Sequence, residues 1–83
     1  MPEKTLGERR VRSDFNPSSN DEVMMLKHKA AELINQIDLI QLKPVENPSA
    51  PEPSINGEIR RLKALAMTSA EEAAMWAVKA ATF

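Results

Sequence analysis

The sequence predicts an all-α protein: an antiparallel two-helix hairpin with a short N-terminal arm, assembling with copies of itself into a helical homo-oligomer. Three observations carry this. Two long stretches space their apolar residues alternately three and four apart, a proline-rich stretch separates them, and the second is apolar on more than one face. The 83 residues make one domain, 1–83, too small to bury a large core. Small domains are reinforced by disulfides, metals or association. Cysteine is absent and His28 is the single histidine, so association is the remedy left, and no metal or other cofactor is expected.

Residues 1–18 lack helical periodicity and read as an arm, with at most a helical turn, mobile until it docks. Helix one is assigned to 19–43. Ser19-Asn20-Asp21-Glu22 reads as a capping box, in which Ser19 accepts from the Glu22 amide and Glu22 reaches back. Val23, Leu26, Ala30, Leu33, Ile37 and Ile40 follow at coiled-coil spacing, with Met24, Ala31 and Ile34 as a flanking stripe. Pro44 ends the helix, because proline disfavours the α conformation in the residue before it.

The loop, 44–57, holds Pro44, Pro48, Pro51 and Pro53 and ends at Asn56-Gly57. Connecting two helices is a sufficient role for it, ahead of docking to a proline-recognition domain. Helix two is assigned to 57–83. Its seam is Ile59, Leu62, Ala66, Ser69, Ala73, Trp76, Ala80 and Phe83, with Ala70, Ala74 and Ala77 beside it. Trp76 is expected in the core. Leu65, Met67, Met75 and Val78 lie off the seam, and one partner helix cannot cover all these faces.

Composition argues against several functions. A net charge of −1 does not announce a DNA- or RNA-binding protein. No stretch reaches the roughly 18 apolar residues of a membrane span, and the charged N-terminus is not a secretory signal. The expectation is a soluble intracellular protein with no polymeric nucleic acid and no membrane among its partners. Two small basic clusters, Arg9-Arg10-Arg12 and Lys27-His28-Lys29, suit a compact anion, although ordinary solvated charge explains them too. Catalysis has little support, and the chain is expected not to be an enzyme. His28 and Glu32 are one turn apart and read as surface partners. Glu71 and Glu72 diverge by about 100° on a helix and read as solvated carboxylates, with Glu72 free to bond across an oligomer. Phe15, a large apolar group in a polar arm, is equally a hydrophobic staple or a platform for a flat ligand.

The pattern Phe15-Asn16-Pro17 ahead of a capped helix, Leu26-Lys27 within it, and Arg61-Leu62-Lys63-Ala64-Leu65-Ala66-Met67-Thr68 running into Glu71-Glu72-Ala73-Ala74-Met75-Trp76-Ala77-Val78-Lys79-Ala80-Ala81-Thr82 resembles the helical hairpin of phage anti-CBASS sponge proteins. The resemblance covers roughly 12–82 and is most specific at the C-terminal end. CBASS is a bacterial defence in which cyclic oligonucleotides activate a killing effector. The resemblance implies a protein that binds these messengers without cleaving them, in the cytoplasm of the infected host, as a hexamer of hairpins with sites between protomers. It further implies cyclic dinucleotides at Phe15, which stacks on a base, and Lys27, which meets phosphate; Lys29 is the alternative lysine. It assigns Asn16 and Arg61 to a second site for cyclic trinucleotides. The family aromatic is a tyrosine, and Phe15 keeps the ring without the hydroxyl. A structural or adaptor coiled coil with no small-molecule ligand is the alternative. A small nucleic-acid binder using Arg9, Arg10 and Arg12 is the third reading.

Overall fold

Thr5-Leu6-Gly7-Glu8 starts the first helix with a capping box of its own. Thr5 Oγ1 accepts from the Glu8 amide at 3.1 Å, and Glu8 Oε1 accepts from the Thr5 amide at 2.9 Å. The result is α1, Leu6–Val11, followed by α2, Asp21–Asp38, and α3, Ile55–Ala81. The computed structural model describes residues 3–16 and 20–83, and no strand occurs among them.

The expected mobile arm is therefore a docked helix. Gly7 is the reason it can dock. A Cβ at this position would lie 2.7 Å from the Ala31 Cα, inside any tolerable contact, so only glycine brings the two backbones together here. Asn35 of α2 secures the approach: its Oδ1 accepts from the Gly7 amide at 2.7 Å and its Nδ2 donates to Thr5 Oγ1 at 3.1 Å. One orphan N–H of the α1 first turn is thereby satisfied by a neighbouring helix.

α2 begins one residue after the expected cap. Asn20 caps it, accepting from the Glu22 and Val23 amides at 2.8 and 3.2 Å. The capping role given to Ser19, and Pro17 of the Phe-Asn-Pro motif, lie outside the described residues. α2 ends at Asp38 rather than at 43. Two side chains of the returning segment draw the chain out of the helix. Lys63 Nζ donates to the carbonyls of Asp38 and Ile40 at 3.0 and 2.8 Å, a cation at the negative end of the helix. Asn56 pairs with both main-chain groups of Lys43, accepting from its N–H at 2.7 Å and donating to its C=O at 2.9 Å. Asn56 is thus 2% exposed, and the Asn56-Gly57 pair lies in the first turn of α3, immediately after its first residue, Ile55. The loop closes at Ser54 instead of at 57.

Lys63 near the start of α3 meets the end of α2, while Lys27 early in α2 borders a groove with Ala74 and Val78, so the two long helices are antiparallel. Their contact runs mainly beside the coiled-coil seam. The core cluster is Val11, Ala31, Ile34, Ala70 and Ala74, with Leu6, Ala30 and Met67 against it, and Val23 is buried as well. Both helices face each other through the stripe beside the seam. The alanines there allow close approach, and α1 fills the remaining crevice with Gly7 and Val11. The large seam residues Leu33, Leu62 and Trp76 are turned outward, 52, 51 and 56% exposed, whereas Val23 at the start of the seam is buried. Trp76 is therefore not a core residue of the single chain. The molecule measures 54 × 29 × 12 Å, one helix thick, and its radius of gyration of 16.3 Å exceeds the ~12 Å of a compact chain of this length.

Gly7→Ala should lift α1 from α2 and cost about 1–3 kcal/mol, in the range for overfilled contacts. Hydrogen exchange at Val11 together with the thermal midpoint checks this; an unchanged midpoint with Val11 still protected would refute the contact. Acid should act on the same helix. The Thr5 main-chain N–H first, then the Thr5 hydroxyl, holds the Glu8 carboxyl below its usual 4.5. A lowered carboxyl contributes stability above 4.5 that is lost as pH falls through the lowered value. Exchange protection of α1 should decline in that window before α2 and α3 respond.

Candidate functional site

α1 ends at Arg12, which adopts the left-handed conformation, φ 56° and ψ 56°. That conformation usually belongs to glycine. It turns the chain so that Phe15 lies over the start of α2. The Phe15 amide donates to the Arg12 carbonyl at 2.8 Å. Lys27 then locks the turn: its Nζ donates to the Arg12 carbonyl at 3.0 Å and also to the Phe15 carbonyl.

The outcome is an aromatic ring with two cations close to it. The Arg12 guanidinium carbon lies 4.5 Å from the Phe15 ring centre, and the Lys27 ammonium lies 5.3 Å from it. Phe15 itself is 54% exposed, whereas Lys27 is only 7% exposed. Burial, and secondarily the Arg12 charge, holds the Lys27 pKa below its usual 10.5. Two cations are thus held near each other with no carboxylate bonded to either.

A groove of about 550 Å³ opens beside them. Arg10, Arg12 and Lys27 form its basic wall, and Thr68, Glu71, Glu72, Ala74, Met75 and Val78 of α3 form the facing wall. Arg10 spans the two: its Nε donates to Glu71 Oε2 at 3.0 Å and its Nη2 to Thr68 Oγ1 at 3.3 Å. Glu71 is therefore a bonded partner of α1 and not simply a solvated carboxylate. Glu72 accepts from Trp76 Nε1 at 3.4 Å within its own helix. His28 and Glu32 pair at 2.7 Å on the exposed face of α2, as their spacing indicates.

Of the residues expected in a site, Phe15 and Lys27 are brought together. Asn16 follows them and braces the entry to α2. Its Nδ2 donates to the Asn20 carbonyl at 3.0 Å, and its Oδ1 accepts from the Asn20 amide at 3.2 Å. Arg61 is not near them in one chain. It pairs with Glu58 on exposed α3, Nε to Oε2 at 3.1 Å, beside the Lys63 that meets the far end of α2. α2 has 18 residues, about 27 Å at 1.5 Å per residue, and Asn16 and Arg61 stand at its opposite ends. Lys29 is exposed and outside the groove. Arg10 and Arg12 are functional candidates that the residue-by-residue assignment left out, although the basic cluster containing them had pointed to a compact anion. No group of metal-ligating side chains and no helix long and apolar enough to cross a membrane occurs among the described residues.

The family model described as Acb2/Tad1, hairpin domain, matches residues 8–82. Neither the curated proteins nor the solved structures give a match.

A non-glycine residue in the left-handed region carries a steric cost that glycine does not. Arg12→Gly should raise stability by up to about 1 kcal/mol, since glycine adopts this conformation without steric cost. It should at the same time weaken binding of any anion in the groove. Denaturant unfolding checks the first half; a clear loss of stability would mean that the Arg12 side chain holds the fold.

Proposed function

The chain belongs to the Acb2/Tad1 hairpin-domain family, the anti-CBASS sponges, and on that premise we propose that it binds cyclic dinucleotides beside Phe15 and Lys27 and sequesters them uncleaved. The family is one of binding proteins that sequester cyclic oligonucleotides, not of enzymes. The observation that carries the reading for this chain is the exposed Phe15 ring with the Arg12 guanidinium and the Lys27 ammonium 4.5 and 5.3 Å from its centre; the two cations also line the neighbouring groove, while Phe15 lines a smaller adjoining hollow with Arg9 and Arg12. A cyclic dinucleotide is a compact ring with two phosphates and two flat bases. It needs an exposed aromatic face with cations close by.

The energetics fit. Stacking a base on an aromatic contributes roughly 1–3 kcal/mol. A charge-assisted bond to phosphate contributes roughly 1.5–3 kcal/mol. Lys27 spends two of its three N–H groups on main-chain carbonyls, which leaves one for a phosphate, and Arg12 supplies a second cation. One chain supplies one such set. Two symmetry-related copies would double it, reaching about 12 kcal/mol, or nanomolar affinity, after ordering costs.

Self-association follows from the same proposal. The layer is one helix thick and turns Leu33, Leu62 and Trp76 to solvent, which supports a homo-oligomer, expected to be a hexamer. Asn16 and Arg61 would form a cyclic trinucleotide site only by meeting across protomers, because one chain keeps them at opposite ends. A host-cytoplasmic setting follows from the messengers it would hold. The exposed seam also favours a second reading, an adaptor coiled coil without a small ligand.

Calorimetry against a panel of cyclic di- and trinucleotides separates these readings. Phe15→Ala should weaken dinucleotide binding at least roughly tenfold, the loss of one stacking contact. Arg61→Ala should leave it nearly intact while weakening trinucleotide binding. A panel with no binder leaves the adaptor. Loss of dinucleotide binding in Arg61→Ala, with assembly intact, would replace two sites by one shared pocket. Ligand recovered after proteolysis of the complex should be unchanged, and linear product would reveal an active site. Light scattering should give a defined oligomer, and a folded monomer at micromolar concentration would rule out the assembly.

A further inference from the structure

Arg10 is the one cation of the groove that the binding proposal does not use. It projects from α1 toward α3, where Nε and Nη2 lie 3.0 and 2.9 Å from Glu71 Oε2 and Nη2 lies 3.3 Å from Thr68 Oγ1. A guanidinium presents a planar fork that fits carboxylate and phosphate alike. Glu71 therefore occupies the position that a phosphate in this groove would take.

We propose that the Glu71 carboxylate is a built-in stand-in for phosphate, holding Arg10 ready in the groove and yielding it to an anionic ligand, so that Arg10 and Glu71 form a specificity-determining pair. The inference rests on the sequestration reading for the identity of the natural ligand. The exposures of the two side chains suit the exchange. Arg10 is the more buried, at 26%, and stays as the fixed receptor; Glu71, at 44%, can swing into water at little desolvation cost. The pair also sets a threshold. A ligand with one anionic group trades one charge-assisted bond for another and gains little. A ligand with two anionic groups keeps a second contact, to Arg12 or Lys27, that no internal carboxylate contests. The groove so arranged discriminates in favour of compact polyanions.

Inorganic pyrophosphate and a cyclic dinucleotide, titrated separately into the full-length protein by calorimetry, test this. Glu71→Gln keeps the shape of the side chain and removes its charge. It should tighten pyrophosphate binding roughly tenfold, the effect of removing one competing charge-assisted bond. Arg10→Ala should weaken binding and abolish that gain in the double variant. Arg10→Lys, which keeps the charge without the fork, should fall between and carries the comparison if Arg10→Ala loosens α1. Glu72→Gln lines the same groove but its carboxylate faces Trp76, so it should tighten binding much less than Glu71→Gln. The proposal is overturned if Glu71→Gln fails to bind pyrophosphate more tightly, if Glu72→Gln matches it, or if the gain survives without Arg10. The cyclic dinucleotide arm isolates the other reading. Pyrophosphate results as expected, with no cyclic dinucleotide bound, would remove the sequestration reading and leave the pair standing. Cyclic dinucleotide bound equally by wild type and Glu71→Gln would do the reverse.

Discussion

Lys27 is a cation that α2 carries on its buried face, and the groove is built around it. An ammonium taken out of water without partners is strongly unfavourable. Here the carbonyls of Arg12 and Phe15 receive it. Those two bonds determine the turn after α1, and the turn determines where the Phe15 ring and the Arg12 guanidinium stand. The same arrangement sets two positive charges against each other in a partly dry place, and burial together with Arg12 lowers the Lys27 pKa. A phosphate placed there would relieve the repulsion and replace lost hydration, which is consistent with the proposed site.

The site depends on α1 as much as on Lys27. Without α1 the groove would lose Arg10, Val11 and Arg12 and keep one cation. α1 has only six residues, too few for a helix stable alone. It persists because Thr5 and Glu8 cap it, Gly7 lets it reach the Ala31 backbone, Asn35 takes its first-turn amide, and Arg10 reaches Glu71. An anion held by Arg10, Arg12 and Lys27 binds only the docked form, so its binding free energy adds to docking by mass action. The Lys4–Asp14 ion pair spans the same helix from outside, and both partners are too exposed for it to substitute for these contacts.

The two long helices, their antiparallel course and the intervening loop were legible from periodicity and proline alone, because those signals are local. Phe15 as a possible platform and Lys27 in a basic cluster stood out from composition, the resemblance alone paired them, and in the fold they lie together, with their binding role a proposal. The rest required distances. Thr5 and Glu8 spell a capping box, yet six residues give no apolar period to flag α1. The early end of α2 depends on Lys63 and Asn56, which are 25 and 13 residues from the carbonyls they hold. Nothing within helix one encodes that. The seam was identified as an apolar stripe, but its large residues, Trp76 among them, are exposed in one chain, and the smaller Ala31, Ala70 and Ala74 beside it pair the helices. Arg10 and Glu71 are 61 residues apart, and no pattern joins them.

That displacement of the seam has a physical consequence for assembly. A hairpin closed through its largest apolar residues would hide them and present a polar exterior to other copies. This one closes through alanines with Ile34, Val11 and Val23, so little apolar area is removed from water within the chain. Leu33, Leu62, Leu65 and Trp76 remain outside, on a layer 12 Å thick that cannot shield them by folding further. α3 is rich in alanine, which lets it approach α2 closely. Small residues and α1 shape the groove within a chain, and the large apolar residues stay exposed outside it.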